Sequence, residues 1–296
     1  MSNFDYLITC AGWEDRFVGG LENVIQSHNI GKIIVFRIHE FSEKTESNVA
    51  KAKTIVNDDC IREIEISLLD DVKTWKIINN VFENICTSPE TICIDLTTMP
   101  RFLIWFIIHF SELYNNRFEC VYFKPDHYPE CDWLTSDAEK PRLVFKRSGQ
   151  HLPDQSTILI IQTGFDIERV NQLIYSYEPE KVFLGVQVGE QFDNALKNLK
   201  KHKEQLKYQE LDFFELDAYS GDYGYSSIEN IVLNNKDTHN IILSSFGPKP
   251  ASLAMFKINK NYPEVGLSYV LVKNYNACYS HGIDKENAVS IESGYL

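Results

Sequence analysis

Short continuous apolar runs alternate along this chain with stretches in which apolar residues recur every three or four positions. Runs such as Ile33-Ile34-Val35-Phe36 and Ile158-Leu159-Ile160-Ile161 carry no polar alternation, as expected of strands covered on both faces. Residues 17–27, 43–56, 71–85 and 102–114 have helical spacing instead. Strand alternating with helix predicts an α/β fold built on mostly parallel sheets. The stretch Phe102, Leu103, Ile104, Trp105, Phe106, Ile107, Ile108, Phe110 is apolar nearly all round, so its helix must be buried on more than one side, by its own sheet and the other half or by a second copy of the chain.

The pattern occurs twice. An apolar strand runs into a Gly-aromatic loop with an acid and an arginine at Gly12, Trp13, Glu14 and Arg16, and again at Gly164, Phe165, Glu168 and Arg169, the glycines lying 152 positions apart. Strands over 32–40 and 181–190 follow at offsets of 149 and 150, then 63–70 and 210–217 at 147. The segments Asp95-Leu96-Thr97-Thr98-Met99-Pro100-Arg101 and Leu243-Ser244-Ser245-Phe246-Gly247-Pro248-Lys249 place their prolines 148 apart, and strands over 118–124 and 267–273 complete the series. Five matches in one order point to an internal duplication, two tandem Rossmann-like βαβ halves related by a pseudo-twofold axis. Two unrelated Rossmann-like domains would give the same architecture. The expected division is 1–125 for the first half, 126–154 for a Pro-containing crossover with an added hairpin or edge strand, 155–275 for the second half, and 276–296 for a polar tail.

Composition narrows the function classes. The 296 residues carry 29 Lys and Arg against 42 Asp and Glu, a net charge of -13, which opposes coating a long duplex nucleic acid. A small anion in one locally basic pocket is compatible with that total. The longest apolar stretch, 102–110, is far below the roughly 20 residues of a membrane span, and residues 1–6 show no signal-peptide pattern, so a cytoplasmic protein without membrane contact is expected. Seven cysteines without a C-x-x-C pair read as reduced thiols, and His127 with Cys131 makes no complete metal pattern, so no metal or other cofactor is expected.

Chemistry is expected in the loops beyond the carboxyl ends of the strands. Thr97, Thr98 and Arg101 in one half, and Ser244, Ser245, Gly247 and Lys249 in the other, precede a helix and combine small hydroxyls, backbone N–H groups and a cation, a set suited to phosphate or another anion. The prolines Pro100 and Pro248 fit a first helical turn. Ser and Thr before such a helix are equally ordinary caps. In the first loops, Glu14 with Arg16 and Glu168 with Arg169 read as ion pairs that fix the turn, while Trp13 and Phe165 either stack on a base or close the core. The segment 219–225 reads as a flexible loop, with a lid as the alternative.

The two loops after the fourth strands resemble those of CARF domains, the Rossmann-like sensors of cyclic oligonucleotides in prokaryotic immunity, in which an Asp, Ser or Thr residues, glycines and a final Lys or Arg precede a helix. The first half keeps Asp95 but has Thr98 and Met99 in place of the glycines; the second keeps Gly247 and Lys249 but has Leu243 in place of the Asp. The resemblance implies that the halves imitate a CARF dimer within one chain, as in SAVED sensors. The ligand would lie across the pseudo-twofold axis against Thr97, Thr98, Arg101, Ser244, Ser245 and Lys249, with Thr9, Gly12, Trp13, Arg16, Thr163, Gly164, Phe165 and Arg169 around it.

The leading expectation is therefore a nucleotide-sensing module that binds a cyclic or other nucleotide-derived signal and passes it to a protein effector partner in antiviral defence. No nuclease, protease or TIR module is visible. The alternatives are a metal-independent enzyme that cleaves such a nucleotide, with Arg101 and Lys249 stabilising charge and Thr9 or Thr163 orienting it, a glycosidase variant working through Glu14 or Glu168, and a structural adaptor that docks through the Phe102 helix. A homodimer is compatible with each.

Overall fold

In the computed structural model the chain is described at residues 2–56, 60–86, 89–128, 133–189, 195–206 and 208–296, with the side chains of 195–198 left aside. It folds as two compact units, residues 1–130 with 277–296 and residues 131–276.

The apolar runs of the first unit become β1 (Asn3–Cys10), β2 (Asn29–Ile38), β3 (Ile61–Ile66), β4 (Thr91–Asp95) and β5 (Arg117–Tyr122). Between them lie α1 (Asp15–Ser27), α2 (Ser42–Ile55), α3 (Asp71–Ile85) and α4 (Arg101–Leu113). All five strands pair in parallel in the order β5-β4-β1-β2-β3. Leu7, Ile8, Ile92, Cys93 and Ile94 are fully buried, which accounts for the unbroken apolar runs. The apolar helix α4 is buried along Phe102–Phe110, and α3 covers one side of it through Trp75, whose ring lies 4.9 Å from Phe106 and 4.6 Å from Phe110.

The second unit repeats the arrangement. Its strands β8 (Thr157–Thr163), β9 (Lys181–Gln187), β10 (Leu211–Leu216), β11 (Asn240–Ser245) and β12 (Gly266–Tyr269) pair in parallel in the order β10-β9-β8-β11-β12. Helices α5 (Ile167–Tyr177), α6 (Ala195–Gln205), α7 (Tyr225–Asn235) and α8 (Pro250–Asn261) connect them. Numbered within each unit, both sheets run 3-2-1-4-5, a doubly wound Rossmann-like order. A duplication would give this common order, and so would two separately derived Rossmann-like units.

Three short strands complete the two units, two of them within 126–154, where the sequence predicts an added hairpin or edge strand. Residues 131–154 form part of the second unit, not a linker: β6 (Thr135–Ala138) pairs antiparallel with β13 (Val272–Tyr275), and β7 (Arg142–Leu143) pairs antiparallel with β12. The strand expected over 267–273 accordingly breaks in two, with β12 in the main sheet and β13 in the two-stranded one. The polar tail returns to the first unit, where β14 (Val289–Glu292) pairs antiparallel with β5, burying Ile291 and exposing its neighbours. β7 and β14 occupy the outer sides of the two fifth strands, β12 and β5, where backbone N–H and C=O groups would otherwise face solvent, while β6 pairs with β13 in a separate two-stranded sheet. Residue 190 of the expected strand over 181–190 lies outside the described residues.

Candidate functional site

In both units the strand order reverses between the first and fourth strands, so the loops after β1 and β4, and after β8 and β11, stand at a topological switch point, the usual ligand position in open parallel sheets. The paired loops touch. A side chain at Gly12 would meet Thr98 Cβ at 2.7 Å, and one at Gly164 would meet the Gly247 Cα at 3.2 Å, so both loops depend on glycine for their approach.

Beneath the first switch point lies a buried hydrogen-bond web. Asp95 accepts from the Thr9 hydroxyl at 3.1 Å and from the Thr97 N–H at 2.9 Å, while the Thr97 hydroxyl accepts from the Phe123 N–H at 3.1 Å. The Thr98 hydroxyl donates to the Cys10 carbonyl at 2.6 Å. The second switch point has an equivalent web with its acceptor on the neighbouring strand. Gln162, at the end of β8, accepts through Oε1 from the Ser245 hydroxyl at 2.6 Å and the Gly247 N–H at 3.2 Å. Sheet register pairs Gln162 with Ser245 and, extended by one residue, Thr9 with Asp95. The loop into α8, residues 246–249, is one residue shorter than that into α4, residues 96–100.

Several residues expected to meet a ligand instead serve the interior. Thr9, Thr97 and Thr163 are fully buried, Ser244 and Ser245 nearly so. Ser244 bonds the Ser268 carbonyl at 3.0 Å, and Thr163 Oγ1 lies 2.9 Å from His202 Nε2, a buried partner on α6 that no sequence motif announces. Arg16 is buried: its guanidinium donates to Glu14 Oε2 through Nε at 2.9 Å and again through its terminal nitrogen, and to the Phe123 carbonyl at 3.2 Å. Burial opposes that charge, yet Glu14, with Tyr122, Tyr279 and Tyr128 around it, keeps the guanidinium more firmly protonated than usual. Glu14 also accepts from Tyr279 at 2.9 Å and Ser280 at 2.7 Å, so this cluster ties the chain's C-terminal segment to the loop after β1. Burial, followed by the nearby Glu14, pushes the Tyr279 phenol well up.

The second-unit arginine has a different partner from the one expected. Asp166, not the exposed Glu168, caps α5 and holds Arg169, accepting its N–H at 3.0 Å and its Nε at 2.6 Å, while Thr135 donates to the same carboxylate at 2.9 Å. The cap position explains the choice, because its carboxylate faces the N–H three residues on. Arg169 lies over Phe246, 4.6 Å from the ring centroid, so it too is committed to the protein interior.

Partial exposure remains at Trp13, Thr98, Arg101, Phe165 and Lys249. The Trp13 ring packs edge-on against Phe41 at 5.3 Å. Arg101 is the first residue of α4 and Lys249 the N-cap of α8, and neither helix has an acid in its first turn. Pro250, rather than Pro248, takes the first turn of α8, and Pro100 is the N-cap of α4. The segment 217–224 is tied down, contrary to the flexible-loop reading: Asp222 accepts from Ser220, the Gly224 N–H and the Ser226 N–H. Against a desolvation that would raise it, those bonds lower the Asp222 pKa to about 2.

Among the described residues no three His, Cys, Asp or Glu side chains converge on a metal-sized site. Cys131, the partner considered for His127, lies outside the described residues. No helix among the described residues is long and apolar enough to cross a membrane.

No protein-family model matches this chain. No curated protein matches it either. Among solved structures, the cytoplasmic domain of a prokaryotic cation chloride cotransporter is similar over 93% of this chain and 98% of that one, at 9% identity and a TM-score of 0.29. A likeness of that size carries nothing about ligand or activity. Fold and switch points together define the chain as an α/β protein with two Rossmann-like units.

Proposed function

We propose that the protein is a nucleotide-sensing module whose loops after β4 and β11 receive anionic groups of a nucleotide-derived ligand. The observation that supports this reading is the placement of a cation, Arg101 or Lys249, at the start of a helix that carries no acid in its first turn, at the switch point of each unit. The helix dipole disfavours a cation there by about 0.3–1 kcal/mol, and an anion bound between the cation and its helix end reverses that sign. The CARF and SAVED resemblance gives the ligand class, cyclic or linear oligonucleotide signals, and the biological setting, antiviral defence through a cytoplasmic protein effector.

The competing readings have less support. Thr9 and Thr163, the orienting hydroxyls of the cleavage mechanism, are buried and bonded to Asp95 and His202. Glu14 is committed to Arg16, Tyr279 and Ser280, leaving the glycosidase variant without that carboxylate. The Phe102 helix is buried rather than exposed, which removes the adaptor's docking face. Calorimetric titration with a panel of cyclic and linear nucleotides tests the proposal. Saturable binding by one member that weakens in Arg101→Gln or Lys249→Gln is expected; no binding at millimolar concentration by any member overturns it.

A further inference from the structure

Gln162 is fully buried and its carboxamide is used unevenly. Oε1 accepts from Ser245 and from the Gly247 N–H. A backbone N–H can only donate, so the amide cannot be turned over, and Nε2 is left as a donor. That nitrogen has no hydrogen-bond partner in the protein. It lies directly under Gly247, where a Cβ would stand 2.0 Å from it. A buried donor without an acceptor is costly enough that native cores rarely keep one, and where one persists it marks a partner that arrives from outside.

We propose that the second unit's switch point receives the phosphoryl group of the ligand, with Gln162 Nε2 and Lys249 as the binding groups. The proposal rests on the nucleotide reading for the ligand's identity. Helix α8 runs for twelve residues from Pro250 to Asn261 and has no acid in its first turn. At the corresponding place in the first unit stands the carboxylate of Asp95, whose charge opposes an incoming anion and which offers no donor. Nε2 is covered by the loop, so residues 246–248 shift as the anion's oxygen reaches it. Gly247 has no side chain to obstruct that approach.

The test is calorimetric titration of the full chain with inorganic pyrophosphate, in the wild type and in Gln162→Glu, Lys249→Gln and Arg101→Gln. Gln162→Glu keeps an oxygen for Ser245 and Gly247 and removes the donor. It is expected to weaken binding about tenfold or more, as for a lost hydrogen bond to a charged group, as is Lys249→Gln, while Arg101→Gln stays within about twofold. Should Gln162→Glu fail to fold, hydrogen exchange on the wild type decides: pyrophosphate must protect peptides over 243–250 and leave those over 95–101 unchanged. Wild-type affinity in both second-unit variants, a loss confined to Arg101→Gln, or protection confined to 95–101 overturns this inference and leaves the nucleotide reading standing. Failure of both pyrophosphate and every nucleotide to bind overturns both.

Discussion

At the end of β4 the carboxylate of Asp95 gathers the Thr9 hydroxyl and the Thr97 N–H; at the end of β11 the same two kinds of donor, Ser245 and the Gly247 N–H, turn to an amide on the adjacent strand, Gln162. Both webs hold the turn into the following helix, so the geometry requires an acceptor between the first and fourth strands and does not prescribe which strand carries it. The chemical consequences differ. A carboxylate places negative charge at the switch point, whereas an amide is neutral and has a donor left over. The first loops show the same division: Glu14 holds Arg16 and also the C-terminal segment, while Asp166 holds Arg169 and Thr135.

The largest expected effects break those two arginine anchors. Glu14→Ala leaves the Arg16 guanidinium buried without its carboxylate and is expected to destabilise the first unit by about 3–5 kcal/mol, with Asp166→Ala doing the same to the second. Urea unfolding followed by hydrogen exchange assigns the loss to a unit, and a loss below about 1 kcal/mol would place these pairs among weak surface contacts. Glu14→Ala is also expected to unprotect peptides over 277–292, an effect Asp166→Ala should lack.

Overpacking the loops comes next. Gly247→Ala puts a methyl against the Gln162 amide and 3.0 Å from the Thr163 carbonyl, whereas the atoms nearest a Gly12→Ala methyl belong to the Thr98 side chain, at 2.7–3.2 Å. A cost of about 1–3 kcal/mol is expected for Gly247→Ala and less for Gly12→Ala, read as the shift in urea midpoint. The reverse order would mean that the first loop is the more rigid.

A smaller effect is confined to acid. Asp222 has a folded pKa lowered from 3.8 to about 2, so its contribution is fully present above 3.8 and is lost as pH falls toward 2. Asp222→Asn should therefore flatten the stability profile of the second unit within that window and leave its slope above pH 5 unchanged. A variant that keeps the wild-type slope between pH 4 and 2 would show that the turn bonds do not depend on the charge. Smallest of all, Arg101→Gln and Lys249→Gln without ligand are expected to move stability by no more than about 0.5 kcal/mol, since each removes a partly exposed cation from an unfavourable helix end. A Tm that falls by several degrees in either variant would assign that cation to the fold rather than to a ligand.

The amino-acid sequence by itself determined the alternation of strand and helix, the mostly parallel sheets and the position of the candidate loops. These follow from local rules: a strand buried on both faces must be apolar throughout, and a chain leaving a parallel strand must turn before its helix. An added hairpin or edge strand within 126–154 was legible, but its division into β6 and β7, and the strand β14 in the tail, were not, because strands of two to four residues with one face in solvent carry almost no pattern. Within the loops, only the tertiary structure decided which side chains face inward. Thr9 turns to Asp95, Thr163 to His202, and Glu14 to a tyrosine 265 positions away. Each choice depends on a partner brought close by sheet register or chain return, and no spacing along the chain encodes that proximity.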